Sequence, residues 1–137
     1  MKKGNALLIV IVIISTLLLL AGILTKIVYN NYAGTVSLVK REEAWWLAEA
    51  GIAAGKVELA HNPNWYTDLP HAPENDFNWL KDGAVGKRGS LGSGEYKIVR
   101  EKDQEFFYAV GEKSGAAVIL RIEFTASPMK YFRQKEI

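Results

Sequence analysis

The residues whose types could do chemistry gather between positions 61 and 76: His61, Asp68, His71, Glu74 and Asp76. Imidazoles with carboxylates suit zinc, and carboxylates suit calcium. Their spacing here fits no metal-site pattern, so they read as solvated polar groups of a loop. A second candidate is GKRGSLGSG, residues 86–94, rich in glycine and carrying a lysine. A phosphate-binding loop needs the order strand, loop, Gly-Lys-Ser/Thr, helix, because the helix amides help to hold the phosphate. That order is missing. No nucleophile–base–orienter set and no carboxylate pair stands out. The expectation is a protein that is not an enzyme and uses no cofactor and no metal. Trp65, Tyr66, Phe77 and Trp79 lie in the same stretch. Aromatic rings there could bind a sugar or a partner surface, but pinning a long loop to its domain is the simpler use.

The elements around this stretch say more. The chain opens MKKGNALLIVIVIISTLLLLAGILTK, and between Ala6 and Leu24 it has fourteen Leu, Ile and Val residues and no charge. At ~1.5 Å per residue this run spans roughly the ~30 Å of a bilayer's hydrocarbon. Each such residue contributes about −0.3 to −0.6 kcal/mol to insertion, roughly −4 to −8 kcal/mol in all. A cleaved secretory signal has a shorter apolar core followed by a small-x-small cut site. Residues 24–27, Leu-Thr-Lys-Ile, offer none. Lys2 and Lys3 precede the run and Lys26 alone follows it closely. The positive-inside rule then places the N-terminus in the cytoplasm and residues 26–137 outside.

About a hundred residues remain for one small outer domain. The chain has no cysteine, so this domain has no disulfide and depends on its core, the helix or an assembly. From His61 onward Lys plus Arg and Asp plus Glu each number eleven. That balance is poor support for nucleic-acid binding, which needs clustered cations.

Beyond the apolar run no proline occurs until Pro63. Tyr32, Val36, Val39, Trp46, Ala50, Ala53 and Val57 recur at three- and four-residue steps, the spacing of one helical face. One near-continuous helix is expected from about 6 to 60, softened at Gly22, Gly34 and Asn30-Asn31. Its membrane part is 5–25 and its amphipathic part 26–60. Pro63, Pro70 and Pro73 end it, and 61–94 reads as a loop. Period-two alternation marks strands around Tyr96–Ile98, Phe106–Val110 and Val118–Phe124, an antiparallel meander over 95–126. The tail, 127–137, is polar and basic, an edge strand or a loosely held end. The fold class is α+β: a long helix packed on a three- to four-stranded antiparallel sheet. The docking face is expected along the Trp46–Val57 stripe, from Trp46, Ala50, Gly51, Ala54, Gly55 and Val57. Of the Trp45–Trp46 pair, one ring is expected in the core and one exposed. Gly51-x-x-x-Gly55 could join two helices, as in membranes, but so far past the apolar run it reads as a close approach to the sheet.

This plan, with KKGNALLIVI (2–11) and AWWLAEAGIAAG (44–55), resembles the type IV pilin-like family of pilins, minor pilins and type II secretion pseudopilins. The AEAG stretch and the hairpin sequence YAVGEKSGAAVIL (108–120) are similar to PilX-type minor pilins. Residues 61–93 have no counterpart in the resemblance. It implies a prepilin peptidase cut between Gly4 and Asn5, making 1–4 a leader that is removed while the anchor stays. It implies that Ala6, Leu7, Leu8, Ile9, Val10 and Ile11 enter the core of a filament. The implied partners are the prepilin peptidase, other pilin or pseudopilin subunits, the inner-membrane assembly machinery and membrane lipid. The implied location is the cell membrane and then a pilus or pseudopilus. The sequence departs from major pilins at Asn5, where they carry phenylalanine or methionine, and at Ile9, where they carry glutamate. Loss of that glutamate points to a minor subunit at the tip or in few copies. The alternative is a single-pass anchored outer domain that binds something and never polymerises.

Overall fold

The computed structural model describes residues 2–137; Met1, the first residue of the expected leader, lies outside them. The elements in order are helix α1 (Lys2–His61), a π-helical turn (Trp79–Gly83), and strands β1 (Lys87–Leu91), β2 (Gly94–Val99), β3 (Phe106–Lys113), β4 (Ala116–Ala126) and β5 (Met129–Glu136). The chain divides into two compact units, the first ending at Ser37 and the second Leu38–Ile137.

The first unit is helix alone. Its apolar side chains, from Leu7 to Leu24, are exposed. Its hydroxyls return to the backbone one turn earlier: Ser15 donates to the Ile11 carbonyl, Thr16 to Val12 and Thr25 to Ala21, each at 2.8 Å. Polar groups satisfied within the helix are what a hydrocarbon environment requires.

The second unit is the end of α1 packed on a five-stranded antiparallel sheet in the order β1-β2-β3-β4-β5. The α+β class holds, with more strands than the alternation announced. Both additions lie outside the expected meander: β1 within the glycine-rich run read as loop, and β5 in the tail. Connections are tight where the residues demand it. Ser114 and Gly115 both take positive φ between Lys113 and its partner Ala116, the geometry of a type I′ hairpin turn. Gly92, with φ of 61°, opens the two-residue link between Leu91 and Gly94.

The central strands are buried on both faces. Toward α1 point Ile98, Phe107, Ala109, Val118, Leu120, Ile122 and Phe124, and they meet Ala44, Ala48, Ile52 and Leu59. On the reverse face Val99, Phe106, Tyr108, Val110 and Ile119 pack beneath Leu80 and Ala84 of the 62–86 segment, with Trp79 beside them. Full burial of each large apolar side chain contributes roughly 1.5–3 kcal/mol, so the segment supplies the second half of a core. Of the four aromatic pins expected, Trp65 and Trp79 are partly buried against these clusters, while Tyr66 and Phe77 are exposed.

Candidate functional site

The docking face of α1 keeps Gly51 and Gly55 of the expected set and excludes Trp46 and Val57. Ala44, Leu47, Ala48, Gly51, Ile52, Gly55 and Leu59 are buried against the sheet. These positions step by three and four on the side of the helix opposite Trp46 and Val57. Gly51 and Gly55 allow close approach: a β-carbon would stand 3.0 Å from the Ala109 side chain at the first and 2.5 Å from the Phe107 ring at the second. Ala54 is partly buried against the same cluster, and Ala50 is half-buried at its border. Trp46 and Val57, expected in the docking face, are instead 60% and 55% exposed. The sheet needs small residues beneath it, and a Trp–Val stripe would hold the strands away. Val39 and Ala53 are exposed on that same outward side. Trp45 is half-buried and meets Trp46 edge-on, with ring centroids 4.9 Å apart. The C-terminal half of α1 therefore carries two apolar stripes, one covered by its own sheet and one exposed.

Gly4 and Asn5 lie in the first turns of α1 rather than in an extended segment. Nothing stands within 4 Å of a β-carbon at Gly4. A peptidase would have to unwind this turn, which glycine eases by about 1 kcal/mol relative to alanine. Ala6, Leu7, Leu8, Ile9, Val10 and Ile11 follow on the same helix and are exposed.

The polar cluster of 61–76 is tied to its own scaffold. Asp68 is buried; its carboxylate accepts the Val85 amide at 2.7 Å, the Gly86 amide at 3.0 Å and the Thr67 hydroxyl at 2.6 Å. Glu101 accepts the His71 amide at 2.7 Å. Asp76 accepts the Trp79 amide at 3.1 Å and meets His71 Nε2 at 3.3 Å, and the His71 ring stacks on Trp79 at 4.1 Å. The Trp79 amide, and secondarily His71, hold the Asp76 carboxyl below its usual range. Glu74 sits 3.4 Å from Arg121. His61 caps the helix end, its Nδ1 2.8 Å from the Val57 carbonyl.

Two cations complete the scaffold. Lys97 is buried, which lowers its pKa, and its ammonium donates to the carbonyls of Lys81 at 2.6 Å and Ala84 at 3.2 Å, closing the π-helical turn. Arg100 is buried too, donating to Pro63 at 2.8 Å, to Trp65 and to Gln104, and lies 4.8 Å over the Phe124 ring. Asp68, Lys97, Arg100 and Glu101 thus act as polar pins for a segment that carries no regular ladder. Asp68, expected as a solvated loop group, is buried instead. Lys97, Arg100 and Glu101 were not singled out, because charged residues beside alternating strands look solvated, and a lysine inside an apolar run at 96–99 is the one sign of them in the sequence.

Compared with family models, with curated proteins and with solved structures, the chain matches none of them. Its likeness to the type IV pilin-like proteins rests on the residues quoted above and on the order of its elements. One helix is long and apolar enough to cross a membrane, and an antiparallel sheet domain follows it.

Proposed function

We propose that this chain is a minor pilin or pseudopilin: a subunit, not an enzyme, that enters or primes a thin extracytoplasmic filament. In this reading the prepilin peptidase cuts after Gly4. The lysines hold the N-terminus in the cytoplasm until then, and Ala6–Leu24 keeps the subunit in the membrane. Assembly transfers that helix from lipid into a bundle of neighbouring helices, helped by the inner-membrane machinery.

The observation that carries this reading is the uncovered face of α1. A freely soluble outer domain has no use for Val39, Trp46, Ala53 and Val57 on the outward side of a helix whose inward side already fills its core. Exposed apolar patches of this kind mark interaction sites. Alanines among larger residues let helices approach closely. A neighbouring subunit's helix is the natural cover, because every subunit brings an apolar helix with it.

The absence of glutamate at Ile9 supports a tip or low-copy position. The test is the composition of filaments sheared from cells. The wild-type chain should be found in them. Val57→Glu should be absent, since a carboxylate pressed against a neighbouring helix costs several kcal/mol when unpaired. A wild-type chain absent from the filaments contradicts the reading and favours the anchored domain that does not polymerise. A Val57→Glu chain incorporated at wild-type level contradicts burial of this helix face on assembly.

A further inference from the structure

We propose that the headgroup layer of the bilayer's outer face binds α1 at Lys26, Tyr29 and Tyr32, so that the lipid-buried span runs on to Val28 instead of ending at Leu24. This collar rests on the membrane span proposed above, and not on leader cleavage or polymerisation.

After Lys26 the chain returns to apolar residues, Ile27 and Val28, and then reads Tyr29-Asn30-Asn31-Tyr32. Ile27, Val28, Tyr29 and Tyr32 are all exposed, the two tyrosines at 69% each. They belong to the unit that is helix alone. Leu24, Thr25, Val28, Tyr29 and Tyr32 stand three and four residues apart, on one helical face, and line a groove of about 480 Å³. The groove is graded along its length. Leu24 and Val28 are aliphatic, and Thr25 turns its hydroxyl back to the Ala21 carbonyl. The tyrosines follow, each with an apolar body and a polar tip. A bilayer changes in the same order, from hydrocarbon to polar headgroups, and tyrosine collects at that boundary.

Charge points to the same occupant. Lys26 is the only charged side chain between Gly4 and Val39, and the first carboxylate of the chain is Glu42. A lone cation on an acid-free stretch suits a layer of phosphates. Lys26 lies ~5 Å below Tyr29 by helical rise. Its long stem covers that distance along the apolar surface while the ammonium reaches the phosphates. From Ala6 to Val28 the helix rises ~35 Å. That exceeds the ~30 Å of hydrocarbon by an amount that a tilt of about 25–30° absorbs, inside the range that membrane helices show.

The chain contains no cysteine, so a single introduced thiol carries a nitroxide label without background. Full-length chains with Leu20→Cys, Val28→Cys, Asn31→Cys or Ser37→Cys are labelled in vesicles of phosphatidylethanolamine and phosphatidylglycerol. Access of dissolved oxygen, which enters hydrocarbon, and of a nickel chelate, which stays in water, reads the depth of each label. Leu20 and Val28 should favour oxygen, Ser37 should be several-fold more open to the chelate, and Asn31 should fall between. Tyr29→Ala with Tyr32→Ala should raise chelate access at Val28 several-fold. Tyr29→Trp with Tyr32→Trp should keep the wild-type depth. A Val28 label as open to the chelate as Ser37 ends the span at Lys26 and overturns the collar. So does a Val28 depth unmoved by the alanine pair, or a Val28 label shielded from both probes, which would report a protein neighbour. Leu20 tells the failures apart: a buried Leu20 with an open Val28 leaves the span standing and removes only the collar, whereas an open Leu20 removes both.

Discussion

Gly111 of β3 lies so close under Ala44 of α1 that a β-carbon on the glycine would overlap the Ala44 carbonyl oxygen. The obstruction is backbone, as is the Ala48 amide nitrogen next to it, and a helix cannot yield locally as a side chain can. Gly51, from the helix side, would meet only the side chains of Ala109 and Tyr96. Gly111→Ala should therefore cost about 3 kcal/mol, the upper end of ordinary overpacking. Gly51→Ala should cost under about 1 kcal/mol, because alanine's helix propensity offsets the crowding. Gly51→Leu should return to the 1–3 kcal/mol range. Thermal unfolding of the three variants checks the ranking; equal melting temperatures for Gly111→Ala and wild type would contradict the docking described here.

Asp68 is the chief polar pin of the 62–86 segment. Asp68→Ala leaves the Val85 and Gly86 amides without their acceptor, and each orphaned buried donor costs about 1–3 kcal/mol. The variant should lose roughly 2–6 kcal/mol, and amide exchange should accelerate across 80–86 before it does in β3. Asp68→Asn keeps one carbonyl oxygen and should lose less. Uniform acceleration across the whole domain would mean that the segment and the sheet open together.

Asp76 gives the segment an acid dependence. Its carboxyl is held low chiefly by the Trp79 amide, so the folded state binds the proton more weakly than the unfolded chain does. The resulting stability is full above the ordinary aspartate value of 3.8 and is lost as pH falls through the lowered pKa. In an acid titration followed by NMR, the Trp79 indole and the His71 ring should shift together below about pH 4. Asp76→Asn should abolish that step. A Trp79 signal that moves identically in the Asn variant would assign the step to another group.

The readable parts of this fold are those where one physical signal dominates. The stretch from Phe106 to Phe124 is legible as two strands because aromatic and β-branched residues fill both faces, giving near-continuous apolar runs broken by the Lys113–Gly115 turn. The helix is readable from its length and freedom from proline. Its docking face is not, because Trp46, Ala53 and Val57 recur at the same spacing as Ala44, Ala48, Gly51 and Gly55. Periodicity finds stripes but does not choose between two of them. Size was the better guide: the face that meets a sheet closely is the one built of alanine and glycine. Strand β1 escaped because Lys87, Arg88, Gly89 and Ser90 carry no alternation; its Gly89 is small because the Tyr96 ring lies over it. The candidate assembly surface was visible as residues and mistaken for core.

The uncovered helix face predicts a separation of stability from assembly. Trp46→Ala with Val57→Ala removes exposed side chains only, so the melting temperature should stay within the change of about 0.5 kcal/mol expected of surface substitutions. The same double variant should sharply reduce incorporation into filaments. A large loss of stability would place these residues in the domain's own core, against the exposure seen at both.

The filament reading requires that the chain be cut and keep its anchor. The direct measurement is the intact mass and N-terminal sequence of the protein recovered from cell membranes. The chain should begin at Asn5, be lighter than the translated one by Met1–Gly4, and remain in the membrane fraction. Gly4→Leu should keep the leader and stay membrane-bound but outside filaments. A wild-type chain that retains its first four residues, in cells whose prepilin peptidase is active, would rule out the filament reading.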